Sequence, residues 1–440
     1  MKEHPRIPTC TYRLQFNRHF TFAAAREIVA YLHELGVSDV YASPYFQAGP
    51  ESLHGYDIAD HNKLSAAIGS RADYDAWVAQ LQAHGIGQVL DFVPNHVGIA
   101  DDRNAWWMDV LENGPSSQYA PYFDIEWQPL KTDLRNKVLL PILGDQYGRV
   151  LERGELQVRF EEGTFYVLYG GRKLPIAPGT YRHILEVGLE NLAEYKDEDF
   201  YAELQSILTA LEYLPKRTET DPKRIAERAR EKEIIKRRLE RRCAQAPQVQ
   251  QAIEKALAQI NGNPGDQRSF DKLDELLNAQ SYRLAFWRVA AEEINYRRFF
   301  DVNDLAAIRV ELPKVFDAIH RLVLELVSTG AVTGLRIDHP DGLYLPREYF
   351  VKLQQRSAKA IGIGLPRDGR AIYMVAEKIL TGPETLRKDW PVHGTTGYDF
   401  ANQVTQLLVE SSAETAITKT FHRFIGHSVP FGHLLYAKKL

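Results

Sequence analysis

Between Val332 and Gly342 an apolar run carries Arg336 and Asp338 two positions apart, then breaks at Pro340 and Gly342. Side chains alternate faces along a strand, so Arg336 and Asp338 point one way while Leu335 and Ile337 point the other, into packing. An aspartate beside a permanent cation is expected to stay ionised, which suits a nucleophile at neutral pH. Further on, a second apolar run, Ile372 to Ala376, ends in Glu377. Two carboxylates, each at the C-terminal end of a buried-looking strand, point to sugar-transfer chemistry on an α/β barrel. An Asp–Arg pair on a strand is by itself more often a structural ion pair. The placement of Asp338 before Pro-Asp-Gly, with Glu377 in the equivalent place one unit later, favours the chemical reading.

The elements that must position these groups are legible from periodicity. Tyr12 to Phe16 alternates like a strand, and residues 22–35 read as a helix ended by Gly36. Val37 to Phe46 reads as a second strand and 51–61 as a polar loop. A helix over 71–84 and a third strand over Gln88–His96 follow. The spacing is the βα pattern of a parallel sheet. It lapses between 98 and 312, where short strand-like pieces (Val138–Leu140, Thr164–Tyr169) precede a largely helical block. There the helix over 222–243, with Asp221 as N-cap and Pro222 at its first position, carries more base than acid. Its charges interleave at i,i+4 spacing, as on a solvated face rather than a nucleic-acid surface. Asn261 to Gly265 is a turn or linker. Barrel-like units resume with a helix from Pro313 to Thr329, the strand to Asp338, a helix from Arg347 to Ile361, the strand to Glu377 and a strand near 398. A helix from Ala401 and a polar tail complete the reading. The expected fold is therefore a (β/α)8 barrel, incomplete at six βα units, with a large helical insertion after the third strand. Residues 1–97 and 313–440 form its two parts and 98–312 the insertion. Two further strands are missing from the count, so the chain reads as a C-terminally truncated barrel.

Composition bounds the rest. The 440 residues are 44% hydrophobic and 25% charged with net charge −4, a globular balance that argues against nucleic acid or anionic membrane as main partner. Cys10 and Cys243 lie far apart and form no redox or metal spacing, in keeping with a cytoplasmic protein. Met1 to Pro5 lacks a signal-peptide core and no run reaches membrane-spanning length. No His, Asp and Glu spacing forms a metal site. Trp106, Trp107 and Trp127 line a glucan path or fill a core, and the core reading is favoured.

Asp91-Phe92-Val93-Pro94-Asn95-His96, Gly334-Leu335-Arg336-Ile337-Asp338-His339 and Ala376-Glu377 are similar to the first three signature regions of the α-amylase superfamily of glycoside hydrolases. Further stretches narrow the likeness. Tyr12-Arg13-Leu14-Gln15-Phe16, Ser52-Leu53-His54-Gly55-Tyr56-Asp57, Tyr122 to Trp127, Glu293-Ile294-Asn295-Tyr296-Arg297-Arg298-Phe299-Phe300 and Gly394 to Phe400 resemble the maltooligosyltrehalose synthase family within it. That resemblance implies an intramolecular transglucosylation on maltooligosaccharides, turning the reducing-end α-1,4 linkage into an α,α-1,1 linkage, with no metal or redox cofactor and a monomeric enzyme. It implies Asp338 as nucleophile and Glu377 as general acid and base. Arg336 orients Asp338, and Asp91 sits beneath that arginine. Asn95, His96 and His339 hydrogen-bond sugar hydroxyls, and Tyr56 stacks on the sugar. Read without the family, Asp91 is equally a buried ion-pair partner, His96 and His339 ordinary hydrogen-bonded histidines, and Tyr56 a loop tyrosine. The family's third carboxylate lies beyond the sixth strand. Asp399 is nearest in order, but its Gly-Tyr-Asp-Phe context belongs to an earlier motif and it is not assigned that role. The alternatives are a hydrolase or 4-α-glucanotransferase of the same superfamily, and a catalytically incomplete glucan-binding chain.

Overall fold

The computed structural model describes residues 5–440; the signal-peptide reading of the first residues lies largely outside them. Six strands pair in parallel in chain order: β1 (Thr11–Leu14), β2 (Asp39–Ala42), β3 (Gly87–Phe92), β4 (Gly334–Ile337), β5 (Tyr373–Ala376) and β6 (Gly394–Thr395). All six were expected from the sequence. They form part of a barrel wall, with β1 and β6 at its edges. Helices cover its outer face: Arg71–Ala83 lies between β2 and β3, Pro313–Ser328 before β4, and Pro346–Ala360 between β4 and β5. The first opens on a capping box, Ser70 with Asp73, which satisfies two of its free amides. Every residue of β3 and β4 is buried, as a parallel strand covered on both faces requires. Phe16, Phe22, Tyr45, Tyr74 and Trp77 interlock beneath β1 and β2.

Several boundaries differ from expectation. The helix over 22–35 is two, Phe22–Glu27 and Val29–Glu34, interrupted at Ile28. β2 ends at Ala42, and Phe46–Ala48 turns away to pair antiparallel with Ile58–Leu64, so the end of the expected loop is a strand. β3 ends at Phe92. Pro94, without an amide to donate, breaks the ladder, and His96–Gly98 pairs instead with Val302–Ala307. The region between holds a three-stranded antiparallel sheet over Gln157–Pro175, a parallel pair of Val138–Leu143 with Tyr282–Phe286, and helices including Pro222–Gln245, capped by Asp221 as expected. Asn261 to Gly265 is a tight turn inside this region. The last stretch is helical rather than a polar tail. Tyr398–Leu407, Glu414–Ile425 and Phe431–Lys439 bury no residue, and Phe424 is 89% exposed.

Candidate active site

The parallel register places Arg336 of β4 directly opposite Asp91 of β3. Neighbours in register share a face, so the two side chains meet: Arg336 Nη1 donates to Asp91 Oδ1 at 2.6 Å. Asp338, two residues on and on the same face, accepts from the same Nη1 at 2.5 Å. Arg336 Nη2 lies 2.9 Å from Glu377 Oε1, just beyond β5. One guanidinium thus ties three carboxylates at the C-terminal ends of three successive strands. The main chain fixes both catalytic candidates, since Asp338 N–H donates to the Phe92 carbonyl and Glu377 N–H to that of Ile337, each at 2.9 Å.

Asp91 is fully buried. Its Oδ2 accepts from Tyr56 at 2.6 Å, Tyr41 at 2.8 Å and Arg13 Nη1 at 3.4 Å. Tyr56 is half-buried, with its ring 5.9 Å from the Arg336 guanidinium carbon. His96 is buried, and its Nε2 lies 3.2 Å from the Tyr56 carbonyl. Burial pushes its imidazole down to about 3, against the opposing pull of that carbonyl, so it is neutral. Asn95 is set behind the wall, bonded to Arg297 Nη1 and close to His96 Nδ1. His339 takes a left-handed backbone (φ 45°), and its N–H donates to Glu377 Oε2 at 2.9 Å.

Asp338 does not keep an ordinary aspartate's acidity. Burial pushes its carboxyl up to about 7, because Arg336 opposes burial but is shared with Asp91 and Glu377, which push in the same direction as burial. Arg336 itself is held charged: burial disfavours its cation, yet Asp91 and the other anionic groups around it prevail.

These groups open onto a cavity of about 730 Å³ whose wall includes Tyr56, His96, Arg336, Asp338 and Glu377. Among the wall residues that the sequence reading did not name as site residues are Arg13, Tyr41, Phe299 and Tyr398. Tyr398 OH reaches Glu377 Oε1 at 3.4 Å, and Phe299 packs against His96 with ring centres 4.4 Å apart and planes tilted by 41°. Arg13 and Tyr41 are paired in register across β1 and β2. Asp399 accepts from Thr395. Trp107 is buried against Phe123 and Tyr296, which is core packing; Trp106 and Trp127 are half-buried against the same core.

The chain is similar to known proteins along most of its length. Residues 26–156 match the α-amylase catalytic domain. A putative maltooligosyl trehalose synthase of Mycobacterium tuberculosis is 29% identical over 93% of this chain and 39% of its own length. The maltooligosyltrehalose synthase structure from Arthrobacter ramosus superposes with TM-score 0.67 at 30% identity, over 97% of this chain and 42% of that one. A glycosyltrehalose synthase structure gives 0.66 at 31%, over 96% and 44%. The chain resembles maltooligosyltrehalose synthases. It spans about two fifths of the length of these relatives, and the six-stranded wall is the corresponding part of their α-amylase-type barrel. Among the described residues no helix is long and apolar enough to cross a membrane.

Proposed function

We propose that this chain carries the catalytic carboxylates of an intramolecular transglucosylase acting on α-1,4-linked maltooligosaccharides. The observation that carries the reading is Arg336 holding Asp338 and Glu377 at the ends of neighbouring strands on one cavity wall. Asp338 attacks the anomeric carbon of the penultimate glucose as Glu377 gives its proton to the departing O4 of the reducing-end glucose. The chain is then held as an ester on Asp338. The freed glucose turns, Glu377 takes the proton of its anomeric hydroxyl, and that oxygen displaces Asp338. Two inversions give an α,α-1,1 link and no net loss of a bond. Arg336 aims Asp338 and steadies its charge, and Asp91 anchors Arg336 from below. Tyr56 and His96 face the sugar. His339 serves through its backbone N–H, and Asn95 holds His96. Water entering in place of the freed glucose turns the same steps into hydrolysis.

The barrel parts are residues 1–97 and 313–440, and 98–312 is an insertion that completes one side of the cleft. The protein works as a monomer, and in the cytoplasm, the latter reading supported by its two free cysteines. A proton NMR time course with maltopentaose tests the reading. Loss of reducing-end anomeric signal matched by a new 1,1-linked signal, without free glucose, supports it. New reducing ends identify a hydrolase, and an unchanged spectrum removes the activity from this chain.

A further inference from the structure

The motif Glu293–Phe300 gives Phe299 to the cavity wall, but its Arg297 is engaged behind that wall. Arg297 Nε donates to Asp124 Oδ2 at 3.0 Å and Nη2 to the Ile308 carbonyl at 3.2 Å. Nη1 is divided between two acceptors from separate parts of the chain: the Asn95 side-chain oxygen at 3.3 Å and the Gly342 carbonyl at 3.0 Å. Gly342 closes the turn that begins at Asp338, and its own N–H donates back to the His339 carbonyl at 3.0 Å.

That turn is tightly set. A Cβ on Gly342 would stand 2.5 Å from the His339 ring and 2.6 Å from Asn95 Oδ1, so turn and Asn95 are in direct contact with no slack. His339 sits at φ 45°, a conformation that a histidine leaves unless its surroundings hold it. In this conformation its N–H meets Glu377 Oε2. Rotation to an extended or right-handed backbone would carry the N–H away.

We infer that Arg297 is a positioning residue for Glu377: its guanidinium fastens the Asp338–Gly342 turn to Asn95 and so keeps the His339 amide aimed at the Glu377 carboxylate. The guanidinium shape matters more than the charge. A planar fork serves Asp124, Asn95, Gly342 and Ile308 at once, whereas an ammonium on a flexible stem cannot. The kinetic part of this inference rests on the transglucosylation proposed above; the structural part does not.

The test uses the full chain, with Arg297→Ala, Arg297→Lys and Asp124→Ala. In Arg297→Ala we expect kcat to fall about 100-fold, as for a displaced catalytic group, with KM held within about threefold. Added guanidinium at low millimolar concentration restores part of the loss, and Arg297→Lys stays near the alanine value. Asp124→Ala removes only the outer ion pair and keeps kcat within about twofold. Amide hydrogen exchange in the peptide spanning 338–343 rises in Arg297→Ala and not in Asp124→Ala. If the unaltered chain proves inactive on maltopentaose, the transglucosylase reading fails and the exchange result alone decides the inference. Unchanged exchange in Arg297→Ala overturns it. So does a kcat within about threefold of the unaltered chain, or full recovery in Arg297→Lys.

Discussion

Two buried ionic clusters in this molecule, each of acidic and basic side chains, behave differently. In the barrel wall, Arg336 serves Asp91, Asp338 and Glu377, while Arg13 reaches only Asp91, at 3.4 Å. In the inserted region, Glu112 of the helix Ala105–Asn113 lies between Lys232 at 2.6 Å and Lys236, on the helix Pro222–Gln245. Lys232 also meets Asp109 at 3.3 Å and Glu233 at 2.7 Å. Arg228 supplies a third cation nearby, donating to Asn113 and the Pro215 carbonyl. The inserted cluster is thus balanced, three cations to three carboxylates. Burial pushes Glu112 up, but Lys236 and Lys232 outweigh it and the net direction is down. In the barrel the carboxylates outnumber the cations, and Asp338 is left at about 7. A balanced cluster holds helices together; an unbalanced one leaves a carboxyl whose charge is incompletely compensated, a mark shared by many functional sites.

Asp338→Asn tests the unbalanced side most severely. It removes a carboxylate from an overloaded arginine, so the variant should fold at least as stably while turnover falls on the order of 10⁴-fold or more. A large loss of thermal stability would mean that the site is balanced after all. Glu112→Ala attacks the other cluster. It leaves Lys232 and Lys236 buried without their shared partner, which should cost about 3–5 kcal/mol in a urea titration, with activity per folded molecule retained. Loss of activity at unchanged stability would erase the distinction. The smallest effect is with pH. Asp338 must be ionised to attack, so kcat/KM should fall about tenfold per unit below pH 7. Stability moves with opposite signs in the two clusters. The folded Asp338 holds its proton more tightly than the unfolded chain, so its contribution is complete below 3.8 and lost as pH rises through about 7. Glu112 is depressed, so its contribution is present above 4.5 and lost as pH falls through its lowered folded value. A rate limb lying below pH 5 would put both clusters in one class.

The sequence made the strand ends readable because buried parallel strands are almost wholly apolar. Against that background Asp91, Arg336, Asp338 and Glu377 stand out. Their protonation was not readable, since the pattern shows only that Arg336 neighbours Asp338, not that three strands deliver carboxylates to one guanidinium. Tyr41, Phe299 and Tyr398 look like any core aromatic until the barrel and the inserted region bring them to one cavity. Arg13 sits in an edge strand with three exposed residues of four, where a charge carries no contrast. Glu112 finds its lysine 120 positions away, a separation without periodic signature. The sequence reading ran β3 through Pro94 to His96, and the partner of His96–Gly98 lies beyond the whole helical region.

That partner has an engineering consequence. Gly98 faces Leu305 across an antiparallel ladder, so the chain leaves the barrel and returns to it at points roughly 5 Å apart. A short reverse turn could splice them, and the intervening residues form a cassette that can be lengthened or exchanged while the ladders between the six barrel strands stay intact. Phe299 and Arg297 travel inside that cassette. Swapping it between relatives would therefore transplant one wall of the cleft together with the brace behind it.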